Sequence, residues 1–429
     1  RYSEHSWGGM ETRVLELAKQ QQILSKQPRI LTSSIYEQPG TDHIQGIEIQ
    51  RHAYLYPSWG LDQKTRASMD QVGGNLISWP LFYELCKTPK LDLVHAHCTR
   101  RLGGLGWLAS RLRRVPFVVS LHGDVLTLAS AQEQRFQDMA QRGLEWGKAI
   151  GWLVRARALL EEADAIIAVG HEEWSALRQH PKISPERVHF VPGGVHFERF
   201  SKGYPQTWRQ RLQLDAQQKL LVQVGRIDPQ KNQMLTLHLL QGLRQCGMAA
   251  HLLWIGAVTD EGYQERLQQQ IAALRLQDHV HHASVSYQDQ ALVDAFHAAD
   301  LMLMPSIHEP FGLTVIEGWC AQKPVVASDL GGLRQLVDDK RDGYRRAVHD
   351  PQAWIEACTD LLNQPEKAQK MGQAGFEKVQ SQYLWKHVVQ NVDHVYAHAH
   401  NVLQTRLREE IPLRLWSTLR TWTRGVQLR

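Results

Sequence analysis

Leu301-Met302-Leu303-Met304-Pro305-Ser306-Ile307-His308-Glu309-Pro310-Phe311-Gly312-Leu313-Thr314-Val315-Ile316-Glu317 changes its period within seventeen residues. The opening apolar run reads as a strand buried on both faces, and the segment from Gly312 reads as an amphipathic helix over 312–321. The same alternation recurs almost from end to end. Strands are expected at 29–32, 47–50, 93–97, 117–121, 165–169 and 188–191, then at 220–225, 251–255, 280–283, 301–304 and 324–327. Helical periods fall between them at 10–22, 232–245, 263–274, 290–297 and 312–321. Apolar strands alternating with helices imply an α/β chain of parallel sheets covered on both faces.

A chain of 429 residues exceeds a single core and suits two domains. The Ser-Lys-Gly-Tyr-Pro stretch at 201–205 interrupts the periodicity before a fresh βα series. The expected division is an N-terminal domain over 1–205, a C-terminal domain over 206–385 and C-terminal helices over 386–429. A net charge of +5 without blocks of one sign is far from the profile of a nucleic-acid binder. Five scattered cysteines without a C-x-x-C pair argue against a disulfide framework or structural zinc, and favour a cytoplasmic setting. No apolar run is long enough to span a bilayer, and no signal peptide is recognised. The chain opens at Arg1, so the numbering is read as starting inside a longer reading frame.

Ligands of open α/β sheets collect at the carboxyl ends of strands. Three segments sit there. In Glu309–Glu317 the glycine at 312 opens room at the backbone, and the free N–H groups of the first helical turn suit a phosphate. Glu317 lies about one turn inside the helix, where a carboxylate can accept both hydroxyls of a ribose. The ordinary alternative is a proline-started helix with two solvated glutamates. In Val224-Gly225-Arg226-Ile227-Asp228-Pro229-Gln230-Lys231-Asn232 a strand ends in glycine before two cations. Arg226 and Lys231 can clamp a diphosphate, although either alone would pass as a solvated basic residue. In Ser120-Leu121-His122-Gly123-Asp124 a histidine follows a strand, a position open to a reacting group and also to a structural role. Gly8 and Gly9 precede the first helix and offer backbone N–H groups to an anion, though such a pair is usually a simple turn.

These motifs together resemble the glycosyltransferase family 4 type of GT-B enzyme. The resemblance extends through 92–97, 163–169 and Ala299-Asp300 ahead of Pro305-Ser306, nearly the whole chain. It implies two Rossmann-like doubly wound domains facing across a cleft. It implies that Arg226 and Lys231 hold the donor diphosphate, Glu317 the ribose, and Glu309 and His122 the transferred sugar. Phe311, Gly312 and Leu313 would supply backbone N–H groups beside Gly225. The implied reaction is a metal-independent, retaining transfer of a hexosyl group, with a UDP-sugar favoured and GDP or ADP sugars open. The acceptor would be a glycan, sugar or lipid-linked molecule. No cofactor is expected, and the chain has no Asp-x-Asp to grip a divalent ion on a sugar nucleotide.

The chain departs from the family at three places. The family opens with a strand ahead of its Gly-Gly loop, whereas this chain begins at that loop, so the first sheet is expected to lack its central strand. Pro192-Gly193-Gly194-Val195-His196 stands where Pro-Asn-Gly-Val-Asp is common, and Gly331-Gly332-Leu333-Arg334-Gln335 where Gly-Gly-x-Pro-Glu is common. Alternatives on the same fold are an epimerase, a phosphorylase, or a catalytically silent nucleotide-sugar-binding subunit. The histidine groups 279/281/282 and 394/398/400 read as structural rather than metal-binding. The 54–79 segment reads as a loop offering Tyr56, Trp59 and Trp79 to stack on sugars or to anchor it. After Pro412, Leu415, Leu419, Trp422 and Val426 align on one helical face flanked by arginines. That face suits either anionic lipid at the inner side of a membrane or packing on the N-terminal domain.

Overall fold

The computed structural model describes residues 9–72, 75–123 and 144–425. Gly8, Asp124 and Val426 lie outside the described residues. The chain divides into two compact units, Arg1–Val169 with Glu173–Val191 and Val389–Arg429, and Gly170–Glu172 with Pro192–Val388. The second unit thus begins at Pro192, ahead of the interruption at 201–205.

Among the described residues, the C-terminal unit builds a six-stranded parallel sheet from β10 (Lys219–Val224), β11 (Ala250–Ile255), β12 (Val280–Ala283), β13 (Leu301–Met304), β14 (Val325–Ser328) and β15 (Tyr344–Arg346). The strand order is β12-β11-β10-β13-β14-β15. Side chains alternate between the faces of each strand. Val222, Leu253, Met302 and Met304 therefore meet Trp208, Phe296 and Trp319 on one side. Leu221, Leu252, Trp254, Leu301 and Leu303 meet Leu237, Leu240 and Trp354 on the other. Two separate cores on one sheet make it doubly wound. Progression reverses between β10 and β13, which pair through Leu221 with Leu301 and Val222 with Met302.

The N-terminal unit holds a four-stranded parallel sheet, ordered β5 (Val94–Ala96), β6 (Phe117–Leu121), β8 (Ala165–Ala168), β9 (Val188–Phe190). A second sheet, ordered β1 (Ile30–Ser33), β3 (Ile47–His52), β2 (Gly40–Ile44), is distinct from it. A short antiparallel pair joins β4 (Ser58–Trp59) to β7 (Leu144–Glu145). Helix Gly9–Ile23 lays Leu15 and Ala18 on Ile30, Ile47 and Ile49. The 54–79 segment is not one loop. It contains helix Gln63–Val72, and Trp79 begins helix Trp79–Lys87, capped by Ser78.

The last helix, Trp385–Gly425, buries Val389, Val392, Val395, Ala399 and Leu403 as a stripe of three- and four-residue steps. Within the N-terminal unit, Tyr396 bonds Gln21 and His95, Asp393 pairs with Lys26, and Arg406 reaches Asp164 at 3.0 Å. The helix runs through Pro412 instead of starting there, at the loss of one backbone hydrogen bond. Among the described residues, no helix is long and apolar enough to cross a membrane.

Candidate ligand site

The reversal between β10 and β13 is where an open α/β sheet leaves a crevice at its strand ends. The loops that follow these two strands carry the residues singled out above. β10 is followed by Gly225, whose φ is 155° and whose N–H donates to the Ile255 carbonyl at 2.9 Å. A Cβ there would stand 3.3 Å from the Lys231 stem, so glycine leaves room for Lys231 to fold over the strand end. Asp228 caps the turn Pro229–Lys231 by accepting the Gln230 N–H at 2.7 Å. Buried Gln223 donates to the Lys231 carbonyl at 2.7 Å, and Gln233 donates to that of Arg226 at 2.8 Å. The loops are also laced together. Ile307 N–H reaches the Gln230 carbonyl at 2.9 Å, and Asn232 donates to that of Pro305 at 3.2 Å.

Lys231 Nζ lies 2.6 Å from Glu309 Oε2, with little of either side chain exposed. An ammonium and a carboxylate are thereby fixed at the strand ends, in a setting that strengthens their attraction over that of a surface pair. Arg226 is 54% exposed, near Asp228 and Gln230 at 3.3 Å, and is thus placed to meet an incoming anion. Gly312, with φ 107°, precedes helix Leu313–Cys320, whose first turn directs N–H groups outward. The Gly331-Gly332 turn fixes the loop from behind. Gly332 N–H donates to the Glu309 carbonyl at 2.8 Å, and a Cβ on Gly332 would fall 2.1 Å from the Pro310 oxygen. Gly193 meets Phe311 and Leu313 in the same way, with Leu313 Cδ2 2.6 Å from its Cβ position. The two glycine motifs that depart from the family pattern therefore lie against the 309–313 loop.

Glu317 is buried, and the Tyr287 hydroxyl donates to its Oε1 at 3.1 Å. The Arg199 guanidinium lies over the rings of Phe200 and Tyr287 and donates to the Tyr287 carbonyl. Burial pushes the Glu317 carboxyl up to about 8, against the Tyr287 hydrogen bond and the Arg199 charge. Burial therefore favours the protonated acid near neutral pH, where the sequence reading placed a carboxylate.

In the N-terminal unit His122 directly follows β6, and its Nε2 is 3.2 Å from His97 Nδ1. The His95 and His97 ring centroids are 4.1 Å apart, and His95 sits between the Tyr396 hydroxyl and Ser120 Oγ, each at 2.7 Å. Desolvation, then the charge of Arg13, hold His95 and His122 down at about 3, so both rings are neutral at physiological pH. Arg13 itself is buried and donates to the Val191 carbonyl at 2.8 Å. Gly9 is exposed at the start of its helix. Tyr56 is not available to a sugar, because it is buried with its hydroxyl on Asp70 at 2.8 Å. Trp59 and Trp79 are exposed. Tyr287, Arg199, Arg13 and His97 received no role from sequence. The contacts that tie them to the candidate groups, Tyr287 with Glu317, Arg199 with Tyr287, Arg13 with Val191 and His97 with His122, span too much of the chain for local spacing to reveal. Among the described residues no group of three or more His, Cys, Asp or Glu is arranged to hold a metal.

Comparison with known proteins agrees with this architecture. Residues 205–378 match the family of glycosyl transferases group 1, and residues 8–194 match the glycosyl transferase 4-like domain. The D-inositol 3-phosphate glycosyltransferase of Streptomyces scabiei is 28% identical over 384 residues, covering 87% of this chain and 83% of that protein. The protein of the same name from Segniliparus rotundus is 30% identical over 285 residues, covering 66% and 61%. Among solved structures, Anabaena Alr3699/HepE in complex with UDP and glucose superposes with a TM-score of 0.67 at 19% identity, covering 91% of this chain and 96% of that one. WaaG, a glycosyltransferase involved in lipopolysaccharide biosynthesis, gives 0.63 at 16% identity, with coverages of 91% and 96%. The fold is that of the GT-B class. The chain belongs to the GT-B glycosyltransferases of the family 4 type.

Proposed function

We propose that the protein transfers a hexosyl group, with retention, from a nucleotide-diphosphate sugar, with UDP the favoured nucleotide. The observation that carries this reading is the Lys231–Glu309 pair at 2.6 Å, set at the strand reversal beside the N-terminus of helix Leu313–Cys320. Arg226, Lys231 and that helix end neutralise the charge gathering on the departing diphosphate. Glu309 holds the sugar, and Glu317 takes the ribose hydroxyls. The acceptor hydroxyl attacks from the leaving-group face and passes its proton to the departing phosphate, so no carboxylate nucleophile and no metal are required. His122, neutral at pH 7, accepts or donates a hydrogen bond to the sugar without bringing charge. UDP in the HepE structure supports the choice of nucleotide, and the relatives' name puts a phosphorylated polyol beside glycans and lipid-linked sugars as acceptors to screen.

The test is thermal stability with UDP, GDP or ADP, each beside its mononucleotide, for wild type and Arg226→Ala. A ligand at 100 times its Kd stabilises the folded state by about 2.7 kcal/mol. One diphosphate should stand out, and the substitution should erase its advantage. Absence of any diphosphate shift in the wild type would overturn the donor site. Binding without transfer to any acceptor would point to a silent subunit.

A further inference from the structure

Trp146-Gly147-Lys148-Ala149-Ile150-Gly151-Trp152-Leu153-Val154-Arg155-Ala156-Arg157 contains three cations, two tryptophans and no acid. Its backbone is firmly seated in the N-terminal unit. Val154 is fully buried against Ile77 and Leu105, with Ile150 packed beside it. The N–H groups of Trp146 and Gly147 both donate to the Pro57 carbonyl, and a Cβ on Gly147 would lie 2.3 Å from the Pro57 ring. Ile150 and Val154 are one helical turn apart and point inward. The largest apolar side chains point the other way.

Trp152 is 79% exposed, Leu153 56% and Trp59 62%. Trp146 is also exposed, its ring 6.2 Å from that of Trp59 across the β4–β7 pair. Leaving this much apolar surface in water forgoes burial worth about 25 cal/mol per Å², and large apolar side chains exposed together on one short segment mark a docking surface. The cations of the same segment select the partner. Lys148 and Arg157 are exposed, whereas Arg155 is engaged by Glu162 at 2.6 Å. Tryptophan favours the boundary between headgroups and acyl chains, and flanking cations favour anionic headgroups.

We propose that Trp59, Trp146, Trp152 and Leu153, together with the exposed cations Lys148 and Arg157 of the same segment, dock the protein on an anionic lipid surface. The patch shares no residue with the candidate donor site, and the proposal is independent of the donor reading. The full chain is floated with vesicles of phosphatidylcholine alone and of phosphatidylcholine with phosphatidylglycerol. Binding is expected only with the anionic lipid, and it weakens as salt rises. The Trp152→Ala/Leu153→Ala variant should bind at least about tenfold more weakly, corresponding to about 1.4 kcal/mol. Its melting temperature should match the wild type, because both side chains are exposed. Lys148→Glu/Arg157→Glu should abolish the preference for phosphatidylglycerol. Failure of the wild type to float with anionic vesicles overturns the proposal. Undiminished flotation of the Trp152→Ala/Leu153→Ala variant also overturns it and assigns the contact to another surface, such as residues 412–426. Loss of soluble-glycan binding in that variant without loss of flotation makes the patch an acceptor platform instead.

Discussion

The two units share one device and use it differently. In each, an aspartate just ahead of a strand secures the neighbouring strand. Asp300 accepts the Leu220 N–H at 2.7 Å and Arg209 at 2.6 Å, and its own N–H returns to the Leu220 carbonyl. Asp164 accepts the Phe117 N–H and Arg111, each at 2.8 Å, and its N–H returns to the Phe117 carbonyl. The difference is a third partner. Asp164 is fully buried and also receives Arg406 from the last helix, whereas the Asp300 side chain is 29% exposed and has one guanidinium. A local clip in the C-terminal unit has become, in the N-terminal unit, the place where sheet and terminal helix are tied together.

Breaking the clips should give unequal losses. Asp164→Ala takes the carboxylate from two guanidinium groups and the acceptor from a buried N–H, and should cost about 3–5 kcal/mol of stability. Asp300→Ala should cost about 1–3 kcal/mol, since it removes a part-exposed carboxylate that holds one guanidinium rather than two. Denaturant unfolding, followed by probes in each unit, measures both. Equal losses would dissolve the contrast.

Gly332→Ala should leave the N-terminal unit unaffected, yet its Cβ collides with the loop that carries Glu309 and Phe311. Activity should fall by about 100-fold, or about 2.7 kcal/mol in transition-state stabilisation. Steady-state kinetics with the preferred donor decides it, and near-wild-type turnover would show the loop to be freer than drawn.

The last effect concerns pH. The Glu317 carboxyl is raised from 4.5 to about 8 in the folded protein. Folding therefore favours its protonated form, and that stabilisation is complete below about 4.5 and lost as pH rises through about 8. Glu317→Gln, lacking this titration, should match the wild type in melting temperature at pH 5 and exceed it at pH 9. Parallel melting curves for the two proteins across that range would refute the assignment.

Much of the fold was legible because its central strands are short Val, Ile and Leu runs buried on both faces. β6, β12 and β13 have the expected bounds, and most of the other expected strands differ by one or two residues. β2, with the sequence Gly-Thr-Asp-His-Ile, has no apolar run to mark it, because it is a largely exposed edge strand. β15 is also an edge strand, and its arginines hid it. Helix Gln63–Val72 is polar enough to read as loop. At the candidate site, sequence supplied the residues on the two loops but not what holds them. Gln223 reads as one polar residue in an apolar strand until its amide is seen on the Lys231 carbonyl. Tyr287 lies 30 residues from Glu317, beyond the reach of any local pattern.

The chain leaves the N-terminal unit at Val191 and re-enters it at Val389. Biosynthesis meets this topology as a delay. A ribosome adding 5–20 residues per second needs about 10–40 s to make the roughly 200 residues in between. The inserted unit can close on itself in that time, its ends joined where Val195 N–H meets the Tyr383 carbonyl at 2.9 Å. Asp164 and His95 meanwhile await Arg406 and Tyr396. The half of the protein made first is thus the half completed last, and the nascent chain is most exposed to chaperones and proteases during that interval.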